Sequence, residues 1–180
     1  VDDAAGILDG DSLAGAVLSD IYNINLCGFE TSPTASIIEQ KLIRYMGSRI
    51  GFDENCGGLF TSGGSLSNLT GFIAARDNIL KDTEYPIAKA YLSDQAHSSV
   101  RKGLRMMGLR KDQIEILESD NDYRIPIKEL ENAIERDLKD EKKPFLIVGS
   151  LGTTNTGTID NFTELGRISK KYGLWLHADG

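Results

Sequence analysis

Residues 145–151, Phe145-Leu146-Ile147-Val148-Gly149-Ser150-Leu151, run without a charge into the polar turn Gly152-Thr153-Thr154, and residues 174–179, Leu174-Trp175-Leu176-His177-Ala178-Asp179, end in an acid. Between these two β-type runs, Phe162, Leu165, Ile168 and Tyr172 recur at helical spacing. Strand, polar loop, amphipathic helix and strand make one parallel crossover unit. The alternation extends upstream to about residue 57. Gly58–Thr61, Ala90–Ser93 and Ile114–Leu117 read as further strands, and two more apolar stripes fall at helical spacing. One is Leu66, Leu69, Ile73 and Leu80; the other is Ile127, Leu130, Ile134 and Leu138. The expected fold is α/β, a mostly parallel sheet flanked by helices.

Before this alternation, Ser32 and Pro33 suit the start of a helix whose buried face would be Ile38, Leu42, Tyr45 and Met46, with Gly47 and Gly51 loosening or ending it. No internal repeat or low-complexity linker divides the chain. Residues 31–180 are expected to form part of one large domain, and residues 1–30 to be the end of an N-terminal segment that wraps onto something else.

Composition narrows the partners. The 20 basic and 27 acidic residues give a formal net charge of −7, and the Lys and Arg residues are scattered rather than striped. Neither nucleic acid nor an anionic membrane is therefore an expected partner. Glycine and polar residues interrupt every long uncharged stretch, so no transmembrane span is expected. The acidic pair Asp2-Asp3 stands where a secretory signal would be basic, which predicts a cytoplasmic location. Cys27 and Cys56 lie in no CxxC and beside no histidine cluster. They are expected to be buried or inert thiols, with no metal site.

In a parallel α/β sheet, ligands bind outside the carboxyl ends of the strands, where helix N-termini and loops gather. Four polar groups fall on that edge. Thr61-Ser62-Gly63-Gly64-Ser65-Leu66-Ser67-Asn68 opens a helix, and the N–H groups around Gly64, Ser65 and Leu66 would be unpaired there. That is a phosphate cradle by chemistry, although a capped helix after a glycine turn has the same pattern. No Gly-Lys-Ser/Thr follows, and the third glycine of the dinucleotide fingerprint is missing. His97 sits in Ser93-Asp94-Gln95-Ala96-His97-Ser98-Ser99, where neighbouring hydroxyls would satisfy a structural histidine equally well. Thr153 and Thr154 close the fourth run, as turn-forming hydroxyls commonly do. Asp179 ends an apolar strand, where a carboxylate is costly unless it is paired, well hydrogen-bonded or caps a helix. His177 reads as a supporting or packing residue.

A phosphate cradle, an imidazole, a hydroxyl and a buried carboxylate on one edge suit a small phosphorylated aromatic cation, and pyridoxal 5'-phosphate is such a molecule. Its phosphate needs N–H donors, its flat ring needs a partner over its face, and its ring nitrogen needs an acid to stay protonated.

At these residues the chain resembles the pyridoxal-phosphate-dependent amino-acid decarboxylases of the group that includes aromatic-amino-acid, glutamate, tyrosine and diaminobutyrate decarboxylases. The likeness is strongest from about Gly57 to Gly180. Phe60 through Asn68 is similar to the family's phosphate-binding turn, and Ser93 through Ser99 to the segment whose histidine stacks on the cofactor. Leu151-Gly152-Thr153-Thr154 with Gly157-Thr158-Ile159-Asp160 resembles the threonine-bearing loop, and Trp175 through Asp179 the strand of the pyridine-binding aspartate. Thr31-Ser32-Pro33 resembles the serine-proline lead-in to the large domain.

The resemblance implies a fold-type-I cofactor domain, a homodimer with its active site near the subunit interface, and α-decarboxylation of an amino acid to an amine and carbon dioxide. By position, Gly64, Ser65 and Leu66 would hold phosphate, His97 would stack on the ring and help position the substrate carboxylate, Thr154 would lie near the ring substituents, and Asp179 would pair with the ring nitrogen. His97 and Asp179 are thus the implied catalytic pair. One departure stands out: the family's Schiff-base lysine lies in a His-Lys motif after the aspartate strand, and no lysine of this sequence follows a histidine. With that lysine and the small C-terminal domain absent, the 180-residue chain alone is expected to be inactive, a fragment of a longer enzyme. Two alternatives remain open: a carbon–carbon lyase of the sphingosine-phosphate-lyase type, which an additional basic pocket would mark, and a non-catalytic truncated paralogue that binds a partner or cofactor.

Overall fold

The computed structural model describes residues 9–180, which divide into two units, one ending at Phe60 and the other spanning Thr61–Gly180. In the first unit, α1 (Gly10–Tyr22) starts where the Asp9 carboxylate accepts the Ser12 N–H at 2.7 Å. Helix α2 (Pro33–Arg49) starts on Pro33, whose fixed φ suits a first turn, but Ser32 makes no side-chain capping bond. Helix α2 runs through Gly47, against which Cys56 packs its sulfur, and Gly51 takes φ 85° just beyond the end. The face expected to be buried is not. Ile38, Leu42, Tyr45 and Met46 are all about half exposed, because no described element of this unit covers them. Cys27 is likewise exposed, in the loop between α1 and α2, and not buried as expected.

The second unit is a four-stranded parallel sheet with helices on both faces. Its elements are α3 (Gly64–Ile79), β1 (Ala88–Ser93), α4 (Ser98–Met106), β2 (Ile114–Leu117), α5 (Ile127–Lys139), β3 (Lys143–Ser150), α6 (Phe162–Tyr172) and β4 (Trp175–Asp179). The strand order is β2-β1-β3-β4. Strands β1 and β3 are buried along nearly their whole length because helices cover both sides of the sheet centre. A register shift between Lys89 and Ala90 leaves Phe145 as an extra residue of β3, a bulge that turns its ring into the same layer as Leu146.

One layer joins Phe72 of α3 and Val100 and Leu104 of α4 to Ala90, Leu92 and Val148 of the sheet. The other joins Leu130 and Ile134 of α5 and Leu165 and Ile168 of α6 to Tyr91 and Ile147. Full burial of each large side chain contributes about 1.5–3 kcal/mol, so these two layers hold the sheet. Gly173 (φ 68°) ends α6 in the left-handed conformation that glycine adopts at no steric cost.

Three sequence expectations for the strand–helix alternation fail. Gly58–Thr61 forms no strand: its residues bond to no sheet neighbour, and the Phe60 N–H donates to Glu39 Oε1 at 2.8 Å. The α3 stripe is also rotated. Its buried residues are Asn68, Phe72 and Ala75, while Leu66 is 45% and Ile73 36% exposed. The helix therefore faces the core with a polar residue in its second turn. Leu138 of α5 is exposed too, one turn beyond the buried Ile134.

Candidate active site

The chain leaves β1 towards β2 and leaves β3 in the other direction, towards β4, with α4 and α6 on opposite faces. This divergence opens a crevice at the carboxyl ends of β1 and β3, the position where doubly wound sheets bind ligands. The sequence clusters converge there.

Strand β1 ends in a tight turn: Ser93 Oγ accepts the Gln95 N–H at 2.9 Å, and Asp94 Oδ1 accepts the Ser119 N–H at 3.1 Å. The turn delivers His97 to the N-cap of α4 with its ring exposed. Ring atom Nδ1 lies 2.7 Å from Ser99 Oγ and accepts the Ser99 N–H at 3.3 Å. His97 is thus a capping residue, and its ring face stays open.

Strand β4 carries His177 and Asp179 towards α3, on the same face as Trp175. Asn68, in the second turn of α3, donates from Nδ2 to Asp179 Oδ1 at 2.9 Å and to Ser99 Oγ at 3.2 Å. Its Oδ1 lies 2.8 Å from His177 Nε2. No side-chain or backbone donor among the described residues reaches Asp179 Oδ2. The His177 ring packs on Phe72 with centroids 4.8 Å apart, and it fits only because residue 71 is glycine. A Cβ at Gly71 would come within 2.6 Å of His177 Cε1. Burial holds the His177 pKa below its ordinary value, with the neighbouring Asp179 charge pulling the other way, so the ring is neutral near pH 7.

The start of α3 lies one turn before Asn68. Leu66 N–H donates to the Gly63 carbonyl at 3.0 Å, which ties up one of the three N–H groups expected to be open. Gly64 and Ser65, as the first two helical residues, have no intrahelical acceptor. Thr61 Oγ1 and Ser67 Oγ, 2.7 Å apart, brace this turn.

Thr153 and Thr154 part company. Thr153 is buried, and its hydroxyl accepts the Thr158 N–H at 3.1 Å, closing the loop after β3. Thr154 points to solvent and makes no bond to His97, Asn68 or Asp179. Asp160 pins the same loop from below, accepting the Ser150 N–H at 2.7 Å and the Ile125 N–H at 2.8 Å. The structure thus brings His97 and Asp179 into one network, sets Gly64 and Ser65 beside it along α3, and leaves Thr154 on the adjoining loop.

Ser99 is one of the hydroxyls expected to satisfy His97, and it does so; Asn68, which joins it to Asp179, escaped the sequence reading as a site residue. A signal for Asn68 does exist: it occupies the 68, 72, 75 spacing of the buried stripe, and an amide at a core position of a helix is there to bond something. Among the described residues, no group of three or more His, Cys, Asp or Glu could hold a metal ion. None of the described helices is long and apolar enough to cross a membrane.

The donor set fits pyridoxal phosphate on this structure's own terms. Open helix N-terminal N–H groups suit a phosphate, an exposed imidazole face suits a flat ring, and a carboxylate oxygen without a partner suits a protonated ring nitrogen.

Comparison with known proteins agrees. The family model described as the pyridoxal-dependent decarboxylase conserved domain matches residues 5–180. The chain is 39% identical over 160 residues to an aromatic-L-amino-acid decarboxylase of Bacillus atrophaeus, covering 85% of this chain and 33% of that protein. It is 36% identical over 183 residues to tyrosine decarboxylase 2 of Arabidopsis thaliana, covering 93% and 33%. The chain therefore spans about a third of the length of the curated relatives it matches. Among solved structures, Rhodiola rosea 4-hydroxyphenylacetaldehyde synthase superposes with a TM-score of 0.89 at 26% identity, covering 94% of this chain and 39% of that one. With a family match over all but its first four residues and the same fold in a solved relative, the chain belongs to the pyridoxal-dependent decarboxylase family.

Proposed function

We propose that the protein carrying this chain is a carboxy-lyase that uses pyridoxal 5'-phosphate to remove the α-carboxylate of an amino acid as carbon dioxide, leaving the amine. Asp179 carries this reading: one oxygen is fixed by Asn68, and the other is left without a partner among the described residues at the carboxyl end of the sheet.

In this reading residues 31–180 are part of the cofactor-binding domain, and residues 1–30 the end of an N-terminal segment. The N–H groups of Gly64 and Ser65 hold the phosphate, with Leu66 shaping the same turn. His97 lays its imidazole against the ring and helps orient the substrate carboxylate, and Thr154 lies beside the ring substituents. Asp179 holds a proton on the ring nitrogen through Oδ2. The cofactor, when bound, supplies the electron sink that accepts the pair left by departing carbon dioxide. The half-exposed apolar faces of α1 and α2 support a homodimer whose active site lies near the interface. The acidic net charge supports a protein without nucleic-acid or anionic-membrane partners.

The test is to express the full-length protein, supply pyridoxal phosphate and assay a panel of amino acids for released carbon dioxide. Release from one of them, lost in Asp179→Ala, is the expected result. Bound cofactor with no release from any amino acid would replace decarboxylation by carbon–carbon lyase chemistry, and absence of cofactor binding would leave a non-catalytic binding module.

A further inference from the structure

We infer that Asn68 is a positioning residue: its buried side-chain amide aims Asp179 and, by orienting the Ser99 hydroxyl towards His97, reinforces the placement of the His97 proton on Nε2.

Hydrogen-bond polarity orients the cluster. Asn68 is only 4% exposed and Ser99 5%, so neither turns freely to water. The Asp179 carboxylate can only accept, which obliges Asn68 to present its NH₂ group at 2.9 Å. The second proton of that NH₂ goes to Ser99 Oγ at 3.2 Å. Oδ1 of Asn68 is then left for His177, which must donate from Nε2 across 2.8 Å. Ser99 Oγ accepts from Asn68, so its own proton is free for His97 Nδ1 at 2.7 Å. Nδ1 also faces the Ser99 N–H at 3.3 Å, and two donors on one side make it an acceptor. A neutral His97 therefore carries its proton on Nε2. Asp179 fixes the direction of the Asn68 amide, the Ser99 N–H fixes Nδ1 of His97 as an acceptor, and the Ser99 hydroxyl, accepting from Asn68 and donating to Nδ1, joins the two.

His177 and Gly71 complete the arrangement. The neutral, buried His177 ring orients the Asn68 amide, and the missing side chain at residue 71 makes room for that ring. The consequence for the site is twofold. Asp179 has Oδ1 engaged and Oδ2 left over, so the carboxylate is aimed rather than free to rotate. His97 presents a donor, not an acceptor, on its far side, which suits a carboxylate placed there.

The inference about cofactor binding rests on the function proposed above; the tautomer of His97 does not. Three full-length variants test it: Asn68→Leu, which keeps the volume and removes the donors; Asn68→Asp, which keeps the shape and sets a carboxylate against Asp179; and Ser99→Ala, which cuts the link to His97 alone. Pyridoxal phosphate titration of the cofactor-free proteins, followed by absorbance, should show Asn68→Leu binding about tenfold more weakly than wild type, the scale of one lost buried donor. Asn68→Asp should bind more weakly still, and Ser99→Ala nearly as tightly as wild type. Nitrogen-15 spectra of histidine-labelled, cofactor-free protein should show His97 as the Nε2–H tautomer in wild type and as a mixture in Asn68→Leu and Ser99→Ala. A purely structural Asn68 would lower the melting temperature and leave affinity and tautomer alone. Unchanged affinity in Asn68→Leu together with a single Nε2–H tautomer in both variants overturns the inference. Should Asn68→Leu not fold, Ser99→Ala decides it through the tautomer. Should wild type fail to bind the cofactor at all, the decarboxylase reading falls and the nitrogen spectra still judge Asn68.

Discussion

The unit Thr61–Gly180 contains two polar clusters built around a carboxylate, and they use it in opposite ways. Asp137, near the end of α5, is closed on all sides. Its Oδ2 accepts from Tyr91 Oη at 2.8 Å and lies 3.6 Å from Lys89 Nζ, and its Oδ1 accepts from Arg136 at 3.1 Å. Lys89 in turn meets Glu115 at 3.2 Å and the Asp112 carbonyl at 2.9 Å. Burial and the Asp137 bond push the Tyr91 phenol far above its ordinary value, so it stays a donor at every working pH. Among the described residues Asp179 has no cation in its network, is held by one neutral amide, and keeps an oxygen in reserve. A saturated ion cluster ties β1, β2 and α5 together; the unsaturated one at the carboxyl edge has the spare acceptor that the proposed site needs. Full pairing suits a scaffold, and incomplete pairing suits the proposed role of Asp179.

The sharpest way to break this contrast is to remove each carboxylate. If the proposed function holds, Asp179→Ala should cost about a hundredfold or more in turnover of the full-length protein, because the preorganised charge proposed for the ring nitrogen is lost. Its melting temperature should stay close to wild type, and near-normal activity would sink the assignment. Asp137→Ala should do the reverse. It leaves Lys89 buried with one carboxylate fewer and should destabilise the fold by about 3 kcal/mol, read from the urea midpoint. Cofactor affinity should hardly change.

Smaller effects sharpen the comparison. Gly71→Ala forces His177 off Phe72 and away from Asn68, an overpacking cost of about 1–3 kcal/mol that should appear in stability and cofactor affinity together. Loss of stability alone would place His177 with the scaffold. His97→Ala should weaken cofactor binding about tenfold, the worth of a ring stack, with little loss of stability. An unfolded His97→Ala protein would show that the cap, and not the open ring face, is its main role.

The smallest effect is a pH dependence. The folded state holds His177 below its unfolded pKa of 6.5, so below that value the unfolded chain binds the proton more readily. Stability should be fully present above about pH 6.5 and fall as the pH drops. His177→Gln should flatten that slope in thermal melts taken across the range.

How much of this was legible in advance differs by element. Strands β1 to β4 were legible because an apolar run bounded by polar turns needs no knowledge of its neighbours. Gly58–Thr61 looked the same by composition, yet a strand exists only where another backbone accepts its hydrogen bonds, and here none does. The α3 stripe was misplaced because Leu66 and Ile73 outweigh Asn68 in any hydrophobic count, whereas the core selected the face that carries Phe72. Asp179 and His97 were legible as groups at strand ends. Their connection was not.

What the sequence by itself determined is therefore local: the strand–helix alternation, the glycine-rich helix start, and the imidazole and carboxylate set where strands run out. Each follows from periodicity or chain direction within a dozen residues. What only the tertiary structure decided is the wiring. Asn68 reaches Ser99 across 31 residues of sequence, His177 across 109 and Asp179 across 111. Those bonds form because β3 and β4 lie parallel in register and α3 packs on the sheet face that carries Trp175 and His177, and the direction of the Asn68 bonds then follows from an acid that can only accept.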